Sequence, residues 1–529
     1  MDIQGVLSQM EGCKKIVIWG AGFHTEEVLR IYEDFFKNTE LVIVDKNKAG
    51  QKIYDIEIQA INAIDYGDVD LVIVMTAFYL DEIELQLRDE MNYRNAIIGL
   101  YDFRQQMAAT NGNLACKYHM QQFINLMECG TESYSYETIF AQRFSQYRVI
   151  KVYAYWLSSI GEGIRYLLEY YYQEFLQRKP DEYYLLMPFI KGNDFANGSF
   201  MEILSREIPM ITAENCHFWK YVMEKHEERF DFRSYNDVNG ILIDAYNPWD
   251  REMCHLDFYN KRVHLLKYTK EEVAYGERQL KQMGIDSDYV CIFARDAQYL
   301  IQQYNQAYAG NDMRDMSIQD FKLGLEYLAT QDIQGVRMGK IVGSLCDLNN
   351  CIDYANLYHQ DFMDLYLIDK CKFFAGSCSG IVEIAYLQNK PVLIIGLTLF
   401  GIWHGLNDHA EDLYIPKKVF DKRTNRFLTL YEMLDVEMAA GDRLVHYYQA
   451  HDLIFIDPTQ QEIRDAIREM NEKLDGTYQS SDEAERLMQK YFDIWNQWLS
   501  DRGYPEYYFC NKLKICESYL LNNQFLLEM

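Results

Sequence analysis

Positive charge is scarce in this sequence, and the basic residues form no run. The 529 residues include 52 lysines and arginines against 80 aspartates and glutamates, which gives a formal net charge of -28 at pH 7. An extended nucleic-acid surface, or attraction to anionic lipid, would need a basic footprint that this sequence lacks. A phosphorylated ligand would therefore have to meet a local basic pocket.

Long apolar segments and paired cysteines are lacking as well. The longest apolar run, at about 391 to 403, falls short of the roughly 20 residues that span a bilayer, and MDIQGVLSQMEGCKK lacks the regions of a signal peptide. The twelve cysteines form no CxxC pair, and the closest two, Cys346 and Cys351, have no partners at metal-ligand spacing. We expect reduced thiols in a cytoplasmic protein, with peripheral association with the inner membrane left open.

A hydrophobic fraction of 49% predicts a globular chain with two to four domains. A pattern of strand, glycine turn or loop, and helix begins three times, at KKIVIWGAG, at VIKVYAYW and at DYVCIFARD. This predicts an α/β fold with three Rossmann-like units. The predicted segments are an N-terminal Rossmann-like domain at 1–108, a helical connector at 109–145, α/β units at 146–275 and 276–475, and C-terminal helices at 476–529.

A glycine turn follows the first strand of the first unit. Gly20 and Gly22 precede a helix, Thr25 replaces the third glycine of the dinucleotide fingerprint, and Asp45 ends the second strand. These four residues predict a nucleotide site for NAD or a related nucleotide. The alternative is a Rossmann-shaped domain whose cleft holds no ligand.

Three arginines of the third unit follow strands or lie in the loop between them. Arg295 and Arg337 come at the ends of predicted strands, and Arg314 lies in the intervening loop. Ligands of open α/β sheets bind at the carboxyl ends of strands, and guanidinium groups match phosphate oxygens. The arrangement predicts a local anion site in an otherwise acidic chain.

The stretch CKFFAGSCSGIVEIAYLQNKPVLIIG predicts a strand, a tight turn, a helix and another strand. The hydroxyl groups of Ser377 and Ser379, with the backbone N–H groups that begin the helix, predict a cradle for the outer phosphates of a nucleotide. Gly380 and Glu383 belong to the same turn and first helical turn. The alternative is that Ser379 serves only as the N-cap of the helix.

From about 150 to 500 the sequence resembles bacterial glycosyltransferases of the two-domain GT-B type, which take part in surface-polysaccharide or glycoprotein assembly. The matching stretches are FARDAQYL, NDMRDMSIQDF, GVRMG, IDYA, DFMDLYLIDKCKFFAGSCSGIVEIAYLQNKPV and DLYIPKKVF. FFAGSCSG, with an arginine and an aspartate after a strand, is also similar to fucosyltransferase-type enzymes, in which the arginine contacts the donor diphosphate. Phe293 stands where those motifs often carry histidine.

The resemblance implies that the last two units form a GT-B-like enzyme, with the acceptor side at 146–275 and the nucleotide-sugar donor side at 276–475. Its substrates would be a nucleotide-diphosphate sugar and a glycan or glycoprotein acceptor. Arginines and helix dipoles, rather than a metal, would neutralise the leaving diphosphate, so no cofactor is expected. The predicted donor-binding residues are Arg295, Arg314, Arg337, Ser377, Ser379, Gly380 and Glu383. The DxD-like sequence at 68–70 is interpreted as a solvated loop edge.

Glycosyl transfer also needs a general base for the acceptor hydroxyl. The candidates are Glu162 in the IGEG turn, Asp296, Glu383, His404 and Asp408, of which Glu162 is favoured. The predicted catalytic set is therefore Glu162, Arg295 and Asp296. Two other functions stay open: a non-catalytic nucleotide-sugar sensor or scaffold, and an NAD-dependent oxidoreductase built on the first unit. Abundant tyrosine and an amphipathic tail also permit a homodimer.

Overall fold

The computed structural model describes residues 12–75, 80–99, 103, 136–156, 161, 179–189, 197–212, 214–233, 266–304, 313–398, 411–440, 444–503 and 514–528. The chain divides into two compact units. The first comprises Met1–Ala154, Lys179–Phe189 and Ile211–Tyr246, and the second comprises Tyr155–Arg178, Ile190–Met210 and Asn247–Met529. The predicted α/β unit at 146–275 is thus shared between them.

A six-stranded sheet in the order β3-β4-β2-β1-β5-β6 organises the N-terminal region. Its strands are β1 (Lys15–Trp19), β2 (Glu40–Val44), β3 (Lys52–Ile53), β4 (Ile56–Gln59), β5 (Leu71–Val74) and β6 (Ala96–Gly99). Neighbouring strands run parallel except for the antiparallel pair β3 and β4. The strands follow the four apolar runs of the sequence, and the predicted α/β fold is confirmed.

Both faces of this sheet are buried by helices. Alternate residues of β1 enter two separate apolar clusters, Ile18 in one and Val17 in the other. Helix α1 (Phe23–Ile31), which is followed by α2 (Glu33–Phe36), adds Val28 to the first cluster, and α3 (Leu80–Leu85) adds Ile83 to the second. Apolar residues on both faces are typical of doubly wound parallel sheets.

A three-stranded sheet in the order β8-β7-β9 also belongs largely to the first unit. Its strands are β7 (Val149–Trp156), β8 (Glu182–Phe189) and β9 (Phe230–Arg233), and the nearby helices are α4 (Tyr136–Arg143) and α6 (Cys216–Lys225). Helix α4 lies in the predicted connector, whose residues 109–135 are outside the described part.

Cys216 is disulfide-bonded, so the expectation of uniformly reduced thiols is wrong for this residue.

Helix α5 (Gly198–Leu204) belongs to the second unit. The side chain of Asn197 donates from Nδ2 to the carbonyl oxygen of Asp361 at 2.8 Å, and the backbone N–H of Gly198 donates to Asp361 Oδ2 at 2.8 Å. These bonds join the start of α5 to residues more than 160 positions later. The start of α5 is thereby held against Asp361 within the second unit.

A seven-stranded sheet in the order β12-β11-β10-β13-β14-β15-β19 forms the core of the second unit, and its neighbours are all parallel. Its strands are β10 (Tyr289–Phe293), β11 (Gln334–Arg337), β12 (Cys351–Ile352), β13 (Phe374–Gly376), β14 (Val392–Leu397), β15 (Leu413–Pro416) and β19 (Lys514–Ile515). Strands β11 and β12 follow β10 on one side of the sheet, and β14, β15 and β19 follow β13 on the other side. The sheet therefore has a topological switch point between β10 and β13.

A small antiparallel sheet and further helices complete the second unit. The strands are β16 (Lys418–Asp421), β17 (Arg426–Phe427) and β18 (Leu453–Ile456). The helices are α7 (Lys270–Gln282), α8 (Gln298–Tyr304), α9 (Lys322–Thr330), α10 (Tyr354–Leu357), α11 (Asp361–Lys370), α12 (Val382–Leu387), α13 (Leu430–Ala440), α14 (Leu444–Ala450), α15 (Gln460–Leu474), α16 (Asp482–Asp501) and α17 (Glu517–Asn522).

The predicted amphipathic tail helix is α16, which buries the apolar side chains Leu487, Tyr491, Trp495 and Trp498. Their three- and four-residue spacing places them on one face, as the sequence predicts. The same C-terminal segment also adds β19 to the seven-stranded sheet. Among the helices in the described ranges, none is both long and apolar enough to cross a bilayer.

Candidate functional site

The two segments that carry most of the predicted donor residues meet at the switch point. Strand β10 pairs with β13 through Phe293 and Gly376, and the N–H of Ser377 donates to the carbonyl oxygen of Phe293 at 3.0 Å. Parallel strands end at the same edge, so Arg295 and the turn at 377–380 lie side by side. The structure thus brings the FARD and GSCSG motifs together.

The side chain of Ser377 fixes this junction. Its Oγ accepts the backbone N–H of Arg295 at 2.8 Å, and Ser377 is fully buried. A buried backbone N–H needs a partner, and here the hydroxyl group supplies it. Ser377 therefore orients the segment that carries Arg295.

The backbone of Gly161 closely approaches the turn at 377–380. A Cβ atom at Gly161 would lie 2.4 Å from the Cα of Gly380, and one at Gly376 would lie 2.6 Å from the carbonyl oxygen of Phe293. Only glycine permits these backbone approaches. Gly161 therefore contacts the GSCSG turn. Glu162, His404 and Asp408 lie outside the described residues.

Ser379 and Glu383 occupy the end of the turn and the first turn of α12. Ser379 is partly exposed, and its carbonyl oxygen accepts the N–H of Val382 at 3.1 Å. The cap residue of α12 is Ile381, and no side chain caps the helix. The alternative interpretation of Ser379 as an N-cap is wrong, because α12 begins three residues after it. Glu383 is 6% exposed.

Cationic side chains gather around the GSCSG turn. Burial raises the pKa of the Cys378 thiol to about 12, and the charges of Arg314 and Lys417 oppose this rise. Lys417 donates to the carbonyl oxygen of Asp315, the residue that follows Arg314 in the chain. Arg295 is 7% exposed and forms an ion pair with Asp315. The result is a set of three cations, Arg295, Arg314 and Lys417, which we call the cation cluster.

Lys417 was not singled out from the sequence. It follows β15, is 3% exposed, and donates from Nζ to the carbonyl oxygen of Asp315 at 2.7 Å. It also pairs with Asp457 Oδ1 at 2.6 Å. The available signal was the motif DLYIPKK, in which a lysine follows an apolar strand at the ligand-binding edge of the sheet.

Arg337 has one partner in the loop after β11, Ser344, and one directly after β12, Asp353. The side chain is 1% exposed, donates to the carbonyl oxygen of Ser344, and pairs with Asp353 Oδ1 at 3.5 Å. These contacts tie the segment between β11 and β12 to the end of β11. A direct contact between Arg337 and a diphosphate would have to replace Asp353.

Asp296 is engaged by backbone donors. Its Oδ1 accepts the N–H of Gln298 at 2.9 Å, and its Oδ2 accepts the N–H of Gly343 at 2.8 Å. The carboxylate thereby joins the start of α8 to the loop after β11. These bonds favour a positioning role for Asp296 over the predicted role of general base.

In the first unit, the side chains of Asp45 and Thr25 bond to nearby backbone groups. Asp45 Oδ2 accepts the N–H of Ala21 at 2.9 Å, and its Oδ1 accepts the N–H groups of Asn47 and Lys48 at 2.8 and 3.2 Å. The Thr25 hydroxyl donates to the carbonyl oxygen of Gly20, which has a φ of 104°. Nucleotide binding by this turn, including Gly22 at the N-cap of α1, stays a prediction.

The DxD-like sequence is a loop edge, as interpreted from the sequence. Asp68 pairs with Lys15 Nζ at 2.9 Å, and its side chain is 62% exposed. Asp70 Oδ2 accepts the N–H groups of Lys14 and Lys15 at 2.7 and 2.9 Å, and these bonds lower the pKa of Asp70. Both carboxylates therefore bond to residues at the start of β1, Asp68 to a side chain and Asp70 to the backbone.

A group with the spacing of metal ligands occurs elsewhere in the described residues. Ligand atoms of His359, Asp361 and Asp364 lie within 4.8 Å of one another. Asp361 pairs with Lys340 at 3.5 Å, and Asp364 accepts the hydroxyl of Tyr354 at 2.8 Å and contacts His359 Nε2 at 3.1 Å. A cation would have to displace Lys340, so metal-independent chemistry stays the prediction.

The opposite edge of the seven-stranded sheet carries a cavity of about 430 Å³. Its lining includes Asp288, Asp332 and Asp475 with one cation, Lys372, which pairs with Asp475 at 2.7 Å. The excess of carboxylates disfavours a diphosphate there, because like charges repel. The switch-point edge is the better anion site.

Comparison with known proteins gives no family assignment: no family model matches the chain, and no curated protein matches it. Among solved structures, the iron-containing dodecameric glycosyltransferase TibC of enterotoxigenic E. coli is 11% identical, with a TM-score of 0.29, over 49% of this chain and 61% of TibC. E. coli ADP-heptose heptosyltransferase II is 14% identical, with a TM-score of 0.32, over 57% of this chain and 98% of that one. A family 9 glycosyl transferase of Veillonella parvula is 10% identical, with a TM-score of 0.29, over 86% and 97%.

The chain thus spans about three fifths of the length of TibC (61%). Since these identities and TM-scores are low, an assignment of function has to depend on the residues of this chain.

Proposed function

We propose that the chain is a cytoplasmic glycosyltransferase that moves a sugar from a nucleotide-diphosphate sugar to a glycan or glycoprotein acceptor in bacterial surface-glycan assembly. The observation that carries this proposal is the position of Arg295 beside the GSCSG turn at the switch point of a parallel sheet, with Lys417 bonded to Asp315, the ion-pair partner of Arg295. Ligands of such sheets bind in the crevice at this point. In a chain of net charge -28, a local group of cations selects an anionic ligand.

The chemistry requires charge stabilisation at this place. The nucleoside diphosphate gains negative charge as the bond to the sugar breaks, and fixed positive charges lower the free energy of that state. Arg295, Arg314 and Lys417 supply these charges, and the backbone N–H groups of the turn supply further donors. In this proposal the cations neutralise the leaving group without a metal.

When the donor binds, its phosphates replace the carboxylates that pair with the cations of the cluster. Arg295 and Lys417 pair with Asp315 and Asp457, whose side chains are 27% and 48% exposed. Both carboxylates can therefore bind water when donor phosphates take their cations. Before the donor binds, the two carboxylates hold the cations in fixed positions, which reduces the conformational entropy lost on binding.

For the acceptor we retain Glu162 as the proposed general base. Its neighbour Gly161 lies against Gly380, at the turn where the donor diphosphate would lie. A general base has to be within hydrogen-bond reach of the acceptor hydroxyl. Asp296 is a weaker choice, because both of its oxygens already accept backbone N–H groups.

One observation favours a second candidate, a nucleotide-sugar sensor or scaffold without turnover. Arg295 and Arg337 are both buried in ion pairs with carboxylates of the chain, as expected for a binding site that has lost its catalytic geometry. The oxidoreductase alternative is disfavoured, because the oxygens of Asp45 bond to the backbone instead of standing ready for a ribose.

A panel of nucleotide sugars separates these functions. The transferase should release free nucleotide slowly even without an acceptor, and a chelator should leave the rate unchanged. Stabilisation of the fold by a nucleotide sugar without release would identify the sensor. Stabilisation by NAD alone would identify the oxidoreductase.

A matched pair of arginine variants tests the donor site. Arg295→Ala removes a cation of the cluster and should weaken nucleoside-diphosphate binding by about 10- to 100-fold, because charge-assisted hydrogen bonds contribute about 1.5 to 3 kcal/mol. Arg426→Ala removes an exposed arginine that pairs with Glu432 at 2.5 Å and should leave binding unchanged. Equal affinities for the wild type and Arg295→Ala would refute the assignment.

A further inference from the structure

A buried hydroxyl group without a hydrogen-bond partner lies directly after β14. Thr398 follows Leu397, the last residue of that strand, and is 3% exposed. Within the described ranges, no group of the chain bonds to Thr398 Oγ1. Burying a hydroxyl group without a hydrogen bond costs free energy, and valine would fill nearly the same volume without that cost. The hydroxyl group therefore has no role in the fold that the described contacts account for.

Thr398 lies at the same edge of the sheet as the cation cluster. Strand β14 runs parallel to β13 on one side and to β15 on the other. The register pairs Leu397 with Pro416, and the N–H of Lys417 continues the ladder by donating to the carbonyl oxygen of Leu397 at 3.0 Å. The next position therefore places Thr398 beside Lys417. Because neighbouring residues of paired strands direct their side chains to the same face, the Thr398 hydroxyl group lies on the face of the Lys417 side chain.

A bulge in β14 supports this placement. The pairing of β14 with β15 shifts by one residue at Gly396, which has a φ of 73°. Such bulges often lie next to functional sites, and they change the face to which the following side chains point. A Cβ atom at Gly396 would lie 2.7 Å from Met316 Sδ and 3.3 Å from Lys417 Cε. The bulge thus packs against Lys417 and against the residue that follows Asp315, the ion-pair partner of Arg295.

We propose that Thr398 is a further donor-binding residue, whose Oγ1 donates to an oxygen of the nucleoside diphosphate that Lys417 also binds. This inference rests on the proposed function. Lys417 is as buried as Thr398, and it pairs with Asp457 Oδ1 at 2.6 Å. A phosphate oxygen that replaces the Asp457 carboxylate at Lys417 would lie beside Thr398 and accept its hydroxyl hydrogen. Thr398 breaks no hydrogen bond within the described part of the chain to make this contact, so the new bond favours binding.

Thr398→Val tests the inference, because valine keeps the shape of threonine and removes only the hydroxyl group. The probe is inorganic pyrophosphate, titrated calorimetrically into the full chain at pH 7. We expect about 10- to 100-fold weaker binding than in the wild type, since a hydrogen bond to a charged group is lost. Thr398→Ser keeps the hydroxyl group and should restore most of the affinity. Wild-type affinity in Thr398→Val overturns the inference.

Thermal unfolding without pyrophosphate separates a binding role from a structural one. Thr398→Val removes a buried hydroxyl group that bonds to no described residue. The melting temperature should therefore equal that of the wild type or exceed it. A structural role for the hydroxyl group would lower the melting temperature instead, and this result also overturns the inference. The expected signature is thus weaker binding in a variant that is at least as stable as the wild type.

Two further variants complete the experiment. Thr330→Val removes an exposed hydroxyl group that donates to the carbonyl oxygen of Tyr327 at 2.7 Å, and it should leave pyrophosphate binding unchanged. Arg295→Ala separates this inference from the proposed function. If Arg295→Ala weakens binding and Thr398→Val does not, the role of Thr398 is wrong and the donor site stands. If neither variant changes the binding, or the wild type does not bind pyrophosphate, both are wrong.

Discussion

Ser377→Ala is the sharpest single test of how the site is held together. The hydroxyl oxygen of Ser377 accepts the backbone N–H of Arg295 at 2.8 Å in a fully buried place. Alanine keeps the Cβ and removes only this acceptor. The N–H of Arg295 then has to stay unsatisfied or to move, and either outcome disturbs the segment that carries the guanidinium group.

The size of the effect follows from the cost of a buried donor without a partner, which is about 1 to 3 kcal/mol. Hydrogen exchange measures this locally, because the amide of Arg295 exchanges when the junction opens. Exchange in a peptide that covers Arg295 should become about 5- to 150-fold faster in Ser377→Ala. Affinity for a nucleoside diphosphate should fall in the same variant.

Ser317→Ala is the matched control. Its hydroxyl oxygen accepts the N–H of Gln319 at 3.2 Å, but Ser317 is exposed, so water can replace the lost acceptor. Exchange at Gln319 should therefore increase much less than exchange at Arg295 does in Ser377→Ala. If both variants accelerate exchange to the same small extent, the junction does not depend on Ser377.

Two further predictions concern buried ion pairs. Glu462→Gln should destabilise the fold by about 3 to 5 kcal/mol in chemical denaturation, because it leaves the buried Lys418, 2.8 Å from Glu462, without its partner. Glu483→Gln, which removes the partner of Arg486 at the surface, should change the stability much less. Burial by itself would raise the pKa of Glu462, but the hydrogen bond from Lys418 and further donors lower it below its usual value. The pair therefore stabilises the fold at neutral pH, and this contribution is lost as the pH falls through the lowered pKa. A destabilisation by Glu462→Gln that stays constant down to strongly acidic pH would contradict this. Arg337→Ala should also lower the melting temperature, because it leaves Asp353 as a buried carboxylate, and an unchanged melting temperature would rule out its structural role.

The strands were largely predictable because their apolar runs are continuous and end in clear turn signals. Strands β10 and β13 follow the runs in DYVCIFARD and CKFFAGS, and their pairing follows from the rule that ligand motifs of parallel sheets share one edge. The proximity of Arg295 to the GSCSG turn could therefore be predicted from the sequence. The contact between Asn197 and Asp361 could not be predicted, because it joins residues 164 positions apart that no local pattern connects.

The sequence also could not show which carboxylate each arginine or lysine side chain would pair with. Arg295 and Arg337 both stand at the ends of strands, but Arg295 joins the cation cluster and Arg337 pairs with Asp353, directly after β12. Lys417 completes the cluster from a distant strand, β15, that lies two positions from β13 in the sheet. Such groupings depend on strand order and on side-chain direction, which residue spacing alone does not fix.

A crystal structure of the chain soaked with nucleoside diphosphates tests the central claim most directly. The account predicts the diphosphate beside the turn at 377–380, within hydrogen-bond distance of guanidinium groups of Arg295 or Arg314 and of Lys417 Nζ, with Asp315 or Asp457 displaced. A diphosphate at the Gly20 turn, at the opposite edge of the sheet, or absent from the switch point at saturating concentration would contradict it.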